Sequence, residues 1–241
     1  MNNDLLERVI AAHGGLARWN KFNQITVTIV TGGGLWPLKG LIQDPNPRKQ
    51  TVTLHRETAS VSPFGKPDWR TTFTPDRIAI ETTTGVVVSE RSNPRASFAQ
   101  HVMDTPWDPL HRAYFNGYAM WTYLTTPFLL TMPGFEVAEI PAWQEGGERW
   151  RGLRARFPHE IASHSTEQDF YFGDDFLLRR HDYHVDVAGG FATAQYVHDI
   201  VNVDGIRFPT KRRAYPRGPD LKPIPELLMV AIDLSEFRLT T

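Results

Sequence analysis

The sequence predicts an α+β fold that is mainly antiparallel β: a curved, half-open β-barrel with central helices packed in its concave face and a further helix at the N-terminus. Three observations carry this expectation. Short segments of alternating apolar and polar residues, separated by turn residues at regular intervals, fill residues 25–91 and return over 148–239. That spacing signals a meander, not βαβ units. Between the two meanders lies residues 108–135, in which no acidic or basic side chain follows Arg112 until Glu136. A helix without a polar face is buried in protein or in lipid, and strand-like sequence on both sides places this one inside the curve of a sheet.

The elements follow in order. Asp4 and Glu7 form a capping-box variant that opens the first helix, Leu5, Leu6, Val9 and Ile10 give its buried stripe, and Gly14 and Gly15 end it. Residues 16–21 allow one more helical turn. Ile25, Val27 and Ile29 alternate with threonines as a half-buried strand. Gly32, Gly33 and Gly34 lack the spacing and the following helix of a phosphate loop, so a turn or bulge is expected. Strands are then expected over 38–43, 50–56, 60–64, 70–74, 77–82 and 85–91, with Pro45, Pro47, Pro63, Gly65, Pro75 and Thr83 at the breaks. Residues 97–103 read as a short helix. Asp108 then caps the central helix, Pro109 occupies its first position, and Pro127 stops it near Thr126. The second meander is expected over 148–157, 161–172, 177–187, 191–203, 206–215 and 227–239. Gly173-Asp174-Asp175, Gly189-Gly190 and Asp204-Gly205 supply hairpin turns, and a proline-rich loop spans 216–225. With no repeat and no linker, residues 1–241 read as one half-barrel domain.

Composition narrows the function. A net charge of −1 supplies no field for nucleic acid or an anionic membrane, and the absence of cysteine removes disulfides, thiolate nucleophiles and zinc–thiolate sites. No stable membrane span is expected, because Asn116, Gly117, several threonines and Pro127 interrupt the apolar stretch. The opening Met1-Asn2-Asn3-Asp4 lacks a basic, then apolar, leader, so the expectation is a cytoplasmic protein. No Gly-x-Ser-x-Gly elbow, Walker loop, dinucleotide fingerprint or His-Glu-x-x-His occurs, and no cofactor is expected. Lys211, Arg212, Arg213 and Arg217 read as a solvated edge strand protected by charge.

Two stretches carry a resemblance. Leu5-Leu6-Glu7-Arg8-Val9-Ile10-Ala11-Ala12-His13-Gly14-Gly15-Leu16 resembles the N-terminal helix of the lipoprotein-carrier superfamily, the periplasmic carriers that ferry lipoproteins to the outer membrane. Phe170-Tyr171-Phe172-Gly173-Asp174-Asp175-Phe176-Leu177-Leu178-Arg179-Arg180, followed by Val203-Asp204-Gly205-Ile206-Arg207-Phe208-Pro209-Thr210, is similar to that superfamily's paired strands and Asp-Gly-Ile-x-Phe-Pro turn. The resemblance implies a half-open antiparallel barrel whose helices close the mouth over an apolar cavity.

Candidate site residues cluster over 161–199. Period-two alternation places His181, Tyr183 and Val185 on one strand face, His164, Gln168 and Phe170 on one face of the preceding strand, and Tyr196, His198 and Ile200 on one face of the next. The aromatic side of each is expected inward, which points His164, Gln168, His181 and His198 toward the central helix. Register at Gly173 stays open: a loop over 173–176 pairs Gln168 with His181, whereas a loop over 173–175 sets His164 beside Arg180 and His184. Inward His, Tyr and Gln serve equally as acid–base groups, as ligand contacts or as satisfied core polar groups. On the helix, Tyr114, Phe115, Tyr118, Trp121 and Tyr123 line a cavity or fill the core, His111 caps the helix or meets a ligand, and Trp107 covers a pocket mouth. His181 and His184 lie three apart on a strand and face opposite ways, so no metal site is expected. Three functions follow: a protein that binds or carries a hydrophobic small molecule, a lipid or aromatic metabolite; a cofactor-free enzyme on the same scaffold with His164, His181 or His198 as acid–base groups; or a subunit-interaction module using the apolar helix. Oligomeric state is left open.

Overall fold

In the first strand of the computed structural model, which describes residues 4–241, Ile25, Val27, Ile29 and Thr31 are buried and the residues between them are half-buried. This is the threonine alternation of the sequence made physical. The chain runs α1 (Asp4–Ala12), α2 (Leu16–Trp19), β1 (Gln24–Gly32), α3 (Leu35–Leu38), β2 (Arg48–Thr53), β3 (Ala59–Ser62), β4 (Trp69–Thr74), β5 (Arg77–Thr82), β6 (Val87–Ser92) and α4 (Pro109–Thr125). It continues through β7 (Glu136–Glu145), β8 (Glu148–Arg156), β9 (Glu167–Phe172), β10 (Leu178–Val185), β11 (Phe191–Val203), β12 (Ile206–Pro216) and β13 (Val230–Thr240).

All thirteen strands belong to one antiparallel sheet in the order β6-β5-β4-β3-β2-β1-β13-β12-β11-β10-β9-β8-β7. Every paired neighbour in the sheet is a neighbour in sequence, except where β1 meets β13 and joins the two meanders. The edges β6 and β7 do not pair, so the barrel stays open. Helix α4 is the connection between those two edges, laid back through the concave face. None of the described helices is long and apolar enough to cross a membrane.

Helix α4 starts as its sequence requires. The Asp108 carboxylate accepts from the His111 backbone N–H at 2.8 Å, and His111 Nδ1 accepts from the Asp108 backbone N–H at 3.2 Å. Only Asn116 among its residues after Pro109 escapes full burial. Gly117 sets where the helix lies: a Cβ there would stand 2.3 Å from Cγ of Phe73 on β4. The helix therefore rests directly on β4, and Tyr114 packs edge-on to Phe73 beside that contact, with ring centroids 5.5 Å apart.

Several local expectations change. Residues 38–43 are not a strand. Pro37 and the preceding Leu35 and Trp36 form α3, anchored by Trp36 Nε1 donating to the Gly32 carbonyl at 3.1 Å. The short helix expected over 97–103 is a 3₁₀ turn at Pro94–Phe98. The sequence gives no signal for β7, because half of its residues are exposed, none is buried and no clear alternation runs along it, as befits an edge. The basic run at 211–217 is not an edge: β12 lies between β11 and β13, Lys211 and Arg213 pair with Asp199 and Asp233, and Arg212 points inward.

Candidate functional site

Because α4 leans on β4, space opens on its other side. Asn116, Ala119, Met120 and Tyr123, at the i, i+3, i+4, i+7 spacing of one helix face, look onto a slot formed with β1, β2 and β10–β13. Ile29, Val61, Val185, Ala214 and Ile232 come from the sheet, Leu35 and Trp36 from α3, and Met229 and Phe191 complete the lining. The slot is thin, with a cavity volume of about 30 Å³. That is room for one or two waters. A larger guest requires the walls to part, and the flexible Met120 and Met229 side chains are suited to yielding.

On the β10–β12 side the slot is backed by a buried polar network. Tyr183 and Tyr123 reach it, with their hydroxyls 3.0 Å apart. His164 Nε2 lies 2.7 Å from the Tyr123 hydroxyl and its ring stacks on Tyr183 at 4.0 Å. Gln195 donates to the Tyr183 hydroxyl at 3.2 Å, and Arg212 donates to Gln195 Oε1 and to the Tyr123 carbonyl, each at 2.8 Å. Next to it, His181 Nε2 meets Gln168 Oε1 at 2.7 Å, while the His181 ring stacks on Phe170 at 4.2 Å. Burial holds the imidazoles of His164 and His181 well below the usual histidine range, so both are neutral at pH 7. The same burial pushes the phenols of Tyr118, Tyr123 and Tyr183 up. His164 Nδ1, His181 Nδ1 and Thr193 Oγ1 have no hydrogen-bond partner.

On the β1–β2 side the slot meets charge. Arg48, the first residue of β2, points inward, is 4% exposed and lines the slot. It donates to Thr31 Oγ1 at 2.7 Å. Arg112, one turn before Asn116 on the slot-facing stripe, lies over the Trp36 ring at 4.6 Å and donates to the Ile42 carbonyl at 2.9 Å and to Gln43 Oε1 at 3.2 Å. Neither arginine has a carboxylate within ion-pair distance among the described residues.

No family model matches the sequence, and no curated protein matches it. Solved structures do. A LolA superfamily protein from Nitrosomonas europaea superposes with a TM-score of 0.52 at 11% identity, covering 98% of this chain and 92% of that one. A domain assigned as an outer membrane lipoprotein-sorting protein, from Vibrio parahaemolyticus, gives a TM-score of 0.58 at 10% identity over 99% and 92% of the two chains. The chain shares the half-open barrel fold of these two structures. A DUF1329 family protein from Desulfovibrio piger shares the architecture, with a TM-score of 0.51 at 12% identity over 98% and 90%. Identities this low establish the half-barrel and nothing about its cargo.

Within this half-barrel the candidate residues separate. Phe115 and Tyr183 line the slot, and His164, His181, Gln168 and Phe170 stand behind Tyr123 and Tyr183 in the network. His164 is not on a strand: it sits in the loop before β9, and the bend lets it and His181 both face inward. The loop after β9 closes with Gly173 N–H on the Leu177 carbonyl, which sets Gln168 against His181. Tyr196 and His198 face the wrong way for the inward reading. Val185 pairs with Phe191, so His181 opposes Gln195 and Tyr196 opposes Arg180 on the outer face. There the Tyr196 hydroxyl donates to Glu145 at 2.6 Å, and His198 is exposed. Tyr114 packs on Phe73 of β4 and Trp121 Nε1 donates to the Thr53 carbonyl of β2 at 2.9 Å, while Tyr118 packs edge-on to His164 at 5.1 Å; none of the three lines the slot. His111 serves the cap, and Trp107 packs between Phe98 and Phe115. Among the described residues no group of three or more His, Asp or Glu converges as a metal site would.

The site residues that sequence reasoning missed are Arg48, Arg112, Gln195 and Arg212. Arg48 shares the two-residue alternation of Gln50 and Val52, which placed it inward had the strand been extended back to its true start.

Proposed function

We propose that this protein binds or carries a hydrophobic small molecule, held between α4 and the β1, β2 and β10–β13 walls of the half-barrel. The observation that carries the reading is the lining of the slot between the central helix and the sheet, apolar over most of its surface with a few polar groups at its sides. A seam between a helix and an unclosed sheet opens by a small displacement of the helix, with no backbone pairing broken. The name of the Vibrio domain, a lipoprotein-sorting protein, is consistent with cargo of this polarity. Acid–base catalysis by His164 or His181 has less support, because both imidazoles lie behind the tyrosines that face the slot.

The test is displacement of the neutral fluorophore N-phenyl-1-naphthylamine, together with native mass spectrometry of the purified protein. Binding to the wild type, lost in Ala119→Phe and Ala214→Phe with folding retained by circular dichroism, supports the slot. Absence of both probe binding and a copurified apolar molecule, or undiminished binding in both filled variants, overturns it.

A further inference from the structure

The interior of this half-barrel carries charge that no carboxylate pairs at close range, with Asp44 attracting Arg48 and Arg112 only from beyond ion-pair distance. Arg48, Arg112 and Arg212 are 4%, 7% and 1% exposed, and none of them lies within ion-pair distance of a carboxylate among the described residues. A buried cation without a counter-ion is costly, and folded proteins normally pair it. Here their hydrogen bonds go only to neutral oxygens: Thr31 Oγ1 for Arg48, the Ile42 carbonyl and Gln43 Oε1 for Arg112, and Gln195 Oε1 and the Tyr123 carbonyl for Arg212. The Nε–H of all three is buried with no partner. Aromatic faces offer partial compensation, Trp36 at 4.6 Å from Arg112 and Tyr123 at 4.5 Å from Arg212, and a ring quadrupole does not replace an anion.

Two of the three are built into one place. Arg48 Nη2 donates to Thr31 Oγ1, Gln43 Nε2 donates to the same hydroxyl at 3.0 Å, and Gln43 Oε1 accepts from Arg112. The two guanidinium groups are thus joined through Thr31 and Gln43, and Arg48 and Thr31 line the apolar slot. Burial lowers the Arg112 guanidinium only to about 10 and moves Arg48 in the same direction, which leaves both charged at neutral pH. The nearest acidic group, Asp44, is held below its usual range first by the Asn46 backbone N–H, and its carboxylate is taken up in that local turn. The irregular surface segment 41–47, whose Ile42 is 92% exposed, lies against Arg112, and its Ile42 and Gln43 oxygens occupy the Arg112 donors.

We propose that the ligand of the slot is an amphiphile with an anionic head, a carboxylate or a phosphate, bound by Arg48 and Arg112 with Thr31 and Gln43, while its apolar tail lies along α4. This rests on the apolar-slot reading above and adds to it the class of ligand. Guanidinium groups suit the role, because their planar donors match carboxylate and phosphate oxygens two at a time. On binding, the head takes the donors now held by the Ile42 carbonyl and Gln43 Oε1, and supplies the negative charge that the interior lacks.

The experiment compares dodecanoate, dodecyl phosphate and dodecanol, below their micellar concentrations, as displacers of N-phenyl-1-naphthylamine. One or both anions are expected to bind at least about tenfold more tightly than dodecanol, the scale of one charge-assisted hydrogen bond. Preference for dodecanoate identifies a carboxylate head and preference for dodecyl phosphate a phosphate head. Arg48→Gln and Arg112→Gln are expected to erase the preference while leaving dodecanol within about twofold, again judged against tenfold per charge-assisted bond. Dodecanol binding as tightly as both anions in the wild type overturns the head-group inference and leaves the apolar slot standing. No displacement by any of the three overturns both. The wild-type comparison needs no variant, so a misfolded Arg48→Gln or Arg112→Gln does not blunt the test.

Discussion

Gly117 is where helix position, stability and the slot meet, and substituting it discriminates sharply. Gly117→Ala brings an intrinsic gain, since alanine is favoured over glycine within a helix by about 1 kcal/mol. Against it stands geometry: the new Cβ falls 2.3 Å from Phe73 Cγ, 2.6 Å from its Cδ2 and 2.7 Å from its Cβ. Carbon atoms rest at roughly 3.5–4.0 Å, so helix or ring must move by more than about 1 Å. Phe73 is fully buried and packed against Tyr114, and it cannot swing aside cheaply. Overpacking of this kind costs about 1–3 kcal/mol, which outweighs the propensity gain. The expected result is a net loss of about 1–2 kcal/mol, or a Tm lower by about 2–8 °C in a chain of this size. Thermal unfolding and urea titration read it. In a Phe73→Ala background two of the three close contacts disappear, so the cost of Gly117→Ala should fall by more than half, a coupling of at least about 1 kcal/mol. The displaced helix moves toward β1, β12 and β13, so apolar probe binding should weaken as well. An unchanged or raised Tm in the single variant, or strict additivity with Phe73→Ala, would refute the claim that this contact seats the helix.

Further expectations concern the buried polar groups. His164 and His181 are held well below the usual histidine range by burial, and His13 is lowered to about 4 by the same cause. Below about pH 6.5 the unfolded chain therefore takes up protons that the folded one refuses, and stability falls with pH by about 1.4 kcal/mol per unit for each histidine. Urea midpoints between pH 7 and pH 5 should show this steepening, and His181→Asn or His164→Asn should each lessen it; an unaltered slope in both contradicts the assignment. On the outer face, Asp182 takes two donors from Arg180 at 2.6 and 2.7 Å and one from Arg217 at 2.8 Å. Asp182→Ala leaves the buried Arg180 with Glu145 as its one carboxylate partner among the described residues and should cost about 1.5–3 kcal/mol in denaturant unfolding, the scale of lost hydrogen bonds to a charged group, where a loss under about 1 kcal/mol would show the pair to be idle. Trp121→Phe leaves the Thr53 carbonyl without the indole N–H and should cost about 1–3 kcal/mol by the same measurement. An unchanged midpoint would remove the bond from the list of supports.

What the sequence made legible was set by periodicity and by charge. The uncharged run after Arg112 and the capping pair Asp108–Pro109 place the central helix within a residue of its observed ends. Alternation gives the meanders wherever one face is solvated, as in β1, and fails for β7, where the edge exposes both faces. Facing in β11 was lost for a definite reason. Tyr196 was assigned inward because aromatic residues fill cores, whereas its ring packs beside the Arg180 guanidinium at 5.5 Å and its hydroxyl serves Glu145. The turn at Asp186–Ala188 and the two glycines fix the pairing of Val185 with Phe191, and that register, not residue type, decides which side faces in. The same logic hid the arginines. Arg48 follows a Pro-Asn-Pro turn and Arg212 sits within a basic run, contexts that read as solvent-facing until strand pairing shows them buried.

Those arginines also explain how the barrel is filled. Aromatic residues can pack an interior of this size, and on the β2–β5 side Phe73, Tyr114 and Trp121 do so. The opposite side departs from that solution with Arg48, Arg112 and Arg212, with Thr193 Oγ1 lacking a partner, and with a thin seam where side chains could have interlocked. Each departure works against stability on its own, since buried charge, orphaned donors and voids all favour the unfolded chain. Orphaned polar atoms occur elsewhere too, Glu57 Oε1, Trp107 Nε1 and Tyr118 Oη among them, but only on the slot side are two such arginines, Arg48 and Arg112, joined through Thr31 and Gln43 beside apolar free space among the described residues. One closely packed wall seats the helix, while the other is left polar, charged and loosely filled, and a bound anion with an apolar tail would reverse all three costs at once.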